Sequence, residues 1–238
     1  PAGIFNYTYY ASDSSGNWNK SDVYYVNVNR SNATYTVNFN KVAPVNPESI
    51  VYGNGSNVTA YKTFTEGNLS IYLNEQFAAT NSTYTVHVTT LQSGTTIYRF
   101  GFNQTQNYTH NETTLQVTVS KKTPVLNLTL GGAESNATIA KCHALNVTTW
   151  AETTQGQINL YKQNSTHTIN PVNGSANATY LTPQCEALEA ELNFTAFYAE
   201  SQNYSTAIKT YFATMTSDST KPSFSNNRSE LQSSASSD

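Results

Sequence analysis

The sequence predicts an all-β protein built from antiparallel β-sandwiches in tandem, and three observations lead to this fold class. Short segments in which apolar and polar residues alternate recur at the spacing typical of a sandwich. An aromatic hairpin pattern repeats along the chain. No segment of the 238 residues carries a sustained helical period. The length alone would suit one or two domains.

The repeated hairpin pattern occurs three times. Residues 98–108 (YRFGFNQTQNY) and 194–204 (FTAFYAESQNY) align at an offset of 96, and a third copy lies at 5–19 (FNYTYYASDSSGNWN). Each copy is an alternating aromatic strand, a polar loop and a second alternating strand, which together indicate a β-hairpin. Most of the alternating aromatic side chains are therefore expected to face a core.

Further short strands lie between these hairpins. In the middle of the chain, strands are predicted at residues 34–40, 57–64, 69–73 and 84–88. In the following part, they are predicted at residues 125–130, 145–150, 157–161 and 178–181. Good helix formers occur together only in residues 185–192 (CEALEAEL), where one helical turn is expected.

These elements divide the chain into four parts. Residues 1–30 are expected to be the C-terminal hairpin of an incomplete sandwich, and residues 31–121 and 122–216 a complete sandwich each, with six or seven strands. Residues 217–238 are a Ser-rich tail or the start of a further unit. Because a lone hairpin is marginally stable in water, the N-terminal pair needs strands from elsewhere. A segment cut from a longer repeat protein is the preferred interpretation.

Composition excludes several classes of protein. Charged residues make up 11% of the chain, less than half of the ~25% usual in soluble domains. The net charge of -3 argues against nucleic acid as a partner. No run approaches the ~18 apolar residues of a membrane-spanning helix, so no membrane span is expected in this segment.

Acceptor triplets for N-glycosylation, N-x-[ST], are far more frequent than chance predicts. The 29 Asn would give roughly seven triplets at this Ser and Thr content, and the chain has twenty. The acceptors are Asn6, Asn19, Asn29, Asn32, Asn54, Asn57, Asn68, Asn81, Asn103, Asn107, Asn111, Asn127, Asn136, Asn146, Asn164, Asn173, Asn177, Asn193, Asn203 and Asn227. The excess predicts a secreted, densely N-glycosylated surface protein. The alternative is that Asn- and Thr-rich strands alone produce it.

The segment AGIFNYTYYASDSSGNWN, the repeated QNY hairpins and the many acceptor triplets together resemble archaeal cell-surface proteins built from tandem immunoglobulin-like domains. Such domains occur in S-layer proteins, adhesins and extracellular filament subunits, and the resemblance covers about residues 1–225. It implies an extracellular location, covalent N-glycans, and neighbouring copies or other surface-layer proteins as partners. The low charge fraction is similar to that of surface proteins from acid-dwelling archaea, and it implies little destabilisation by acid.

No catalytic or metal-binding arrangement is recognisable, so the chain is predicted not to be an enzyme and to need no cofactor. The four His lack the spacing of a zinc site, and no G-x-S-x-G occurs. Glu186, Glu189 and Glu191 cluster without an opposing carboxylate, although a glycosidase partner distant in sequence stays open. Oxygen atoms in loop 13–17 and at Asp22 could hold calcium, but a plain hairpin loop is the preferred interpretation.

The two cysteines, Cys142 and Cys185, are predicted to form a disulfide. Each precedes a predicted strand of the third unit, and in an up-and-down sandwich those two strands start at one end. The bridge would close a 44-residue loop, counting both cysteines, and contribute roughly 2–4 kcal/mol. The alternative is two reduced, buried thiols.

The first functional hypothesis is a non-catalytic structural protein of an S-layer, stalk or filament. Its sharper form is assembly by β-strand complementation, with residues 1–30 and 217–226 as the two halves of a junction. The second hypothesis is an adhesin or glycan-binding module, which would need outward aromatic rings such as Tyr10, Tyr35 or Phe197. The third is an accessory segment of a larger secreted enzyme.

Overall fold

A computed structural model describes residues 1–163, 168–174, 177–183 and 191–217. Within these ranges the chain forms β-strands and no helix, and therefore none that could span a membrane. The strands are β1 (Gly3–Tyr7), β2 (Tyr10–Ser12), β3 (Trp18–Lys20), β4 (Tyr24–Val28), β5 (Thr36–Phe39), β6 (Glu48–Val51), β7 (Gly55–Tyr61), β8 (Leu69–Leu73), β9 (Gln76–Asn81), β10 (Tyr84–Thr90), β11 (Gly94–Phe102), β12 (Asn111–Ser120), β13 (Leu126–Leu130), β14 (Ala137–Ala140), β15 (Ala144–Ala151), β16 (Ile158–Gln163), β17 (Thr168–Gly174), β18 (Asn177–Pro183), β19 (Glu191–Tyr198) and β20 (Ala207–Thr216).

The chain divides into two compact units. The first comprises Pro1–Pro124 together with Ala199–Ala207, and the second comprises Val125–Tyr198 and the described residues from Ile208 onward. The segment 199–207 connects β19 to β20 in sequence but belongs to the first unit by its contacts.

Within the described residues, each unit contains one sandwich of eight strands, three in one sheet and five in the other. In the first sandwich the strand orders are β10-β7-β5 and β6-β12-β11-β8-β9. In the second they are β13-β15-β18 and β14-β20-β19-β16-β17, so every strand has a counterpart in the same place. The prediction of an all-β chain with tandem immunoglobulin-like sandwiches is confirmed.

One feature of the sheets departs from the predicted antiparallel pairing. Strand β6 pairs with β12 in parallel, and β14 pairs with β20 in parallel. A parallel pair needs a long crossover, and the five strands between its members in sequence provide one. Alternation of side chains predicts which face of a strand is buried but carries no information on strand direction, so the sequence did not indicate these pairs.

The core of the first sandwich is formed by the alternating residues of β8, β11 and β12, packed against β5 and β7 of the other sheet. The large side chains of Tyr98, Phe100 and Phe102 have no exposed surface. The second sandwich repeats this arrangement, with Leu128 and Phe194 equally buried. Alternation has the same cause in both, since successive side chains of a strand point to opposite faces.

The first four strands form two separate two-stranded sheets, β1 with β4 and β2 with β3. The β1–β4 register runs from Gly3↔Val28 to Tyr7↔Tyr24. The β11–β12 pair has the same register shifted by 91 residues, with Gly94↔Val119 at the corresponding position. The β1–β4 hairpin therefore has the geometry of the last two strands of a sandwich.

Candidate interaction surface and glycosylation sites

The β1–β4 hairpin exposes the face that the complete sandwich buries. Tyr7 is 42% exposed, whereas its counterpart at the 91-residue offset, Tyr98, is 0% exposed. Val26 is likewise exposed, and its counterpart Val117 is fully buried. Exposed apolar residues that lie together mark an interaction site in a soluble protein. We call this face, formed by Phe5, Tyr7, Tyr24, Val26 and Val28, the hairpin inner face.

Ring contacts hold part of the hairpin together without a second sheet. The Tyr7 and Tyr24 rings stack with centroids 5.4 Å apart, and the Tyr9 ring meets Tyr7 edge-on at 5.4 Å. Aromatic pairs of this kind add about 0.5–1.5 kcal/mol each beyond the area that they bury. These contacts order the hairpin locally but leave its inner face open to solvent.

The loop between β2 and β3 is a self-contained turn. The Asp13 carboxylate accepts the backbone N–H groups of Ser15 and Asn17 at 2.9 Å each, and the Asn17 side-chain amide at 2.8 Å. These hydrogen bonds, that from the Asn17 side chain foremost, lower the pKa of Asp13. The carboxylate thus stabilises the turn, as the plain-loop interpretation requires. Among the described residues, no three or more His, Cys, Asp or Glu are grouped to hold a metal ion.

The predicted acceptor asparagines differ widely in exposure. Those with exposed side chains are Asn6, Asn19, Asn29, Asn32, Asn54, Asn68, Asn81, Asn103, Asn136 and Asn146. Those that are partly buried are Asn57, Asn107, Asn111, Asn127 and Asn193, and Asn203 is buried. The side chains of Asn164, Asn173, Asn177 and Asn227 lie outside the described part of the structure. Exposure of the amide is a physical requirement for carrying a bulky glycan.

Three of the less exposed acceptors use the amide nitrogen in the fold. The Nδ2 atom of Asn107 donates to Glu66 Oε2 at 2.7 Å, and that of Asn111 donates to the Ala33 carbonyl at 2.7 Å. The Nδ2 atom of Asn203 donates to Gln92 Oε1 at 2.6 Å. Glycosylation would have to modify an atom that already has a structural partner.

The cysteine and glutamate predictions fall largely outside the described residues. Cys142 is exposed and forms no disulfide in the structure, and Cys185 is not among the described residues, so their pairing stays a prediction. Of the predicted carboxylate cluster, Glu186 and Glu189 are not described. Glu191 opens β19 with an exposed side chain, where the sequence predicted the end of a helical turn.

The outward aromatic rings proposed for glycan stacking are only partly available. Tyr10 is exposed, as predicted. Tyr35 instead packs against the core of the first sandwich, and its hydroxyl donates to the Phe100 carbonyl at 2.9 Å. Phe197 is partly buried. The prediction was wrong for Tyr35, because alternation alone does not show that a residue at the rim of a sheet turns its ring inward.

Glu66, which accepts hydrogen bonds from residues 105–107, makes the stability of the first unit depend on pH. Hydrogen bonds from the Thr105 side chain first, and then from the Asn107 side chain and the backbone N–H groups of Asn107 and Gln106, lower the pKa of Glu66 below its ordinary value of 4.5. A carboxyl with a lowered pKa stabilises the fold above its ordinary pKa and loses that contribution as the pH falls through the lowered value.

We therefore expect Glu66→Gln to flatten the acid limb of stability. The free energy of unfolding of the parent should fall as the pH drops below about 4.5, and that of the variant should fall less over the same range. Denaturant unfolding at a series of pH values measures both curves. Parallel curves for the two proteins would show that Glu66 does not titrate in this way.

Comparison with known proteins identifies no family for this chain. No protein-family model matches the chain, and no curated protein matches it. Fibronectin(III)-like modules of Clostridium thermocellum CbhA are 15% identical, with 76% of this chain and 95% of theirs covered and a TM-score of 0.29. Titin domains z1z2, solved in complex with telethonin, are 10% identical, with 79% and 100% covered and a TM-score of 0.40. The IG1+IG2 pair of DIP-gamma is 8% identical, with 76% and 97% covered and a TM-score of 0.31.

Proposed function

We propose that this chain is a non-catalytic, heavily N-glycosylated structural protein of the cell surface, a subunit of an S-layer, stalk or extracellular filament. The observation that carries the proposal is the exposed hairpin inner face, which matches the buried face of β11 and β12 position by position. Such a face is suited to binding strands of a neighbouring molecule, since added strands supply both main-chain hydrogen bonds and apolar burial.

The strands that surround β11 and β12, the counterparts of β1 and β4, indicate what kind of partner the hairpin needs. In the first sandwich, β11 has β12 and β8 beside it, and β12 has β6 on its other side, while the β10-β7-β5 sheet forms the opposite layer. The described strands of each sandwich are already paired within it. We therefore assign the partner as the remaining strands of a sandwich of the same kind, provided by a neighbouring copy, by another surface-layer protein or by a preceding part of a longer parent chain.

The distribution of acceptor asparagines supports a glycan coat. Ten of them present exposed side chains, spread over the hairpin and both sandwiches. A coat at these positions would shield the sheets from proteolysis and from unwanted edge pairing. It would also keep a chain with only 11% charged residues soluble.

Footprinting of tyrosine side chains tests the assembly. In the purified chain, hydroxyl radicals should oxidise Tyr7, Tyr24 and Tyr25, because all three are exposed. In intact cell-surface material, Tyr7 and Tyr24 should be protected by the partner strands. Tyr25 points to the opposite face, as alternation requires, and should stay reactive.

The same experiment identifies the source of the strands. Dissociation of the material into single polypeptides should restore the reactivity of Tyr7 and Tyr24. Equal reactivity of all three tyrosines before and after dissociation would contradict assembly through this face. Protection that persists in the dissociated polypeptide would show that the covering strands belong to the same chain.

The second candidate function is glycan binding. A glycan-stacking platform needs an outward aromatic ring, and the Tyr10 ring is 62% exposed. A glycan array should then show micromolar binding that Tyr10→Ala abolishes. Binding that survives this substitution would exclude Tyr10 as the platform.

A further inference from the structure

We infer that Asn107 and Asn203 are equivalent structural clamps that close the open end of a β-hairpin, and that neither carries a glycan although both stand in acceptor triplets. The two triplets read N-Y-T and N-Y-S. Both asparagines lie in the first compact unit, since that unit includes residues 199–207. The clamp goes beyond the proposed function. Only the prediction that these two asparagines carry no glycan rests on the proposed function.

The backbone half of the clamp holds the chain where it leaves a hairpin. The carbonyl of Asn107 accepts the N–H of Ser31 at 2.8 Å, and the N–H of Thr109 donates to the Ser31 carbonyl at 2.9 Å. Tyr108, between them, forms an isolated parallel bridge with Ser31. Ser31 follows the last residue of β4 by three positions, so this bridge fixes the exit of the β1–β4 hairpin.

Asn203 holds the second hairpin in the same way. Its carbonyl accepts the N–H of Lys122 at 3.0 Å, and the N–H of Ser205 donates to the Lys122 carbonyl at 3.0 Å. Tyr204 forms the corresponding parallel bridge with Lys122. Lys122 lies 91 residues after Ser31, which is the offset that relates β11–β12 to β1–β4.

The side-chain half of the clamp holds the chain where it enters the hairpin. The Oδ1 atom of Asn107 accepts the N–H of Ala2 at 2.7 Å, and that of Asn203 accepts the N–H of Ser93 at 2.9 Å. Ala2 and Ser93 each precede a glycine with positive φ, 151° for Gly3 and 127° for Gly94, at which the first strand of the hairpin begins. One asparagine thus ties the entry of a hairpin to its exit, at the end where no turn joins the strands.

The Nδ2 atoms of Asn107 and Asn203, to which a sugar would be attached, are also engaged in the fold. Each Nδ2 donates to a side-chain oxygen, of Glu66 for Asn107 and of Gln92 for Asn203, and Asn203 is only 1% exposed. A glycan is bulky and attaches at this nitrogen, so it needs free space beside the acceptor, which the surroundings of these two side chains do not offer. Buried polar groups of this kind are costly to leave unsatisfied, which favours the unmodified asparagine.

Matched variants separate the clamp from the acceptor triplet. Thr109→Ala and Ser205→Ala destroy the triplets but keep both asparagines, whereas Asn107→Ala and Asn203→Ala destroy triplet and clamp together. In protein made in a host that adds no glycans, we expect Asn203→Ala to speed hydrogen exchange of the Ser93 amide about tenfold, as loss of one buried hydrogen bond implies.

Asn107→Ala should have the same effect at the amide of Ala2, which loses the Asn107 Oδ1 acceptor, whereas Thr109→Ala and Ser205→Ala should leave exchange close to the parent. Exchange measured by NMR reports each amide separately. An unchanged Ser93 amide in Asn203→Ala, or equal effects of the alanine substitutions at positions 203 and 205, would overturn the clamp.

Glycopeptide mapping of the natural glycoprotein tests the prediction about modification. We expect glycans at exposed acceptors such as Asn68 and Asn103, and unmodified Asn107 and Asn203. A glycan on Asn203 or Asn107 would overturn the inference at that site. Absence of glycans from every acceptor would contradict the proposed glycoprotein instead, and the exchange measurements would still decide the clamp.

Discussion

Tyr98→Ala should lower the free energy of unfolding of the first sandwich by about 3–5 kcal/mol, the range for removing a large aromatic side chain from a packed core. Tyr98 has no exposed surface, and its hydroxyl lies 3.1 Å from Ser56 Oγ. The substitution therefore leaves a cavity and removes one of two hydrogen bonds of the buried Ser56 hydroxyl, which keeps its bond to the Thr89 carbonyl. Chemical denaturation followed by circular dichroism measures the change.

Tyr7→Ala is the matched control, because Tyr7 occupies the same register position in the β1–β4 hairpin. In the purified chain this substitution should cost clearly less than Tyr98→Ala, since the side chain is exposed and leaves no enclosed cavity, so only its ring contacts with Tyr9 and Tyr24 are lost. A cost similar to that of Tyr98→Ala would show that the hairpin inner face is already covered. In assembled material, by contrast, Tyr7→Ala should weaken assembly.

Reduction of the predicted Cys142–Cys185 disulfide should destabilise the second sandwich by roughly 2–4 kcal/mol. The pairing of β15 with β18 in register supports the bridge. Ala144 at the start of β15 faces Pro183 at the end of β18, and each cysteine lies two positions beyond its member of this antiparallel pair. Unfolding of the second sandwich with and without reductant measures the contribution.

The variant with Cys142→Ser and Cys185→Ser is the control, and its stability should not respond to reductant. Peptide mapping without reduction should yield one cross-linked peptide that contains both cysteines. Two thiols that react with an alkylating reagent in the unreduced, unfolded protein would show that the bridge does not form.

Strands with two neighbours in a sheet were predictable from the sequence, and so were the edge strands of the two three-stranded sheets, but the edge strands of the two five-stranded sheets were not. The predicted segment 69–73 coincides with β8, and segment 145–150 lies within β15. The prediction missed β6, β9, β14 and β17, which are the edges of the two five-stranded sheets. An edge strand has one neighbour and less buried surface, so β9, for example, contains no fully buried residue and shows little alternation.

The acceptor triplets could be identified in the sequence. Which of their asparagines are exposed and which are buried and hydrogen-bonded in the fold could not. A triplet pattern depends on three neighbouring residues, whereas exposure of Asn203 depends on Gln92 and Ser93, more than a hundred positions away. The repeated QNY was recognised as part of a hairpin. The sequence feature that could have indicated the clamp is an Asn-Tyr pair that recurs at the same distance after two aromatic strands. The role of this pair follows only from the hydrogen bonds that its asparagine forms in the first unit.

The parallel strand pairs have a mechanical consequence. Strand β6 enters the first sandwich near its beginning in sequence, and β12 leaves it at its end, with Val117↔Glu48 to Ser120↔Val51 in parallel register. Tension that acts on the N-terminal end of β6 and on the C-terminal end of β12 pulls the two strands in opposite directions along their axes. The hydrogen bonds between them are then loaded in shear and must break together, whereas bonds pulled apart from one end break one after another. The same holds for β14 and β20, so each sandwich is built to resist extension of the chain.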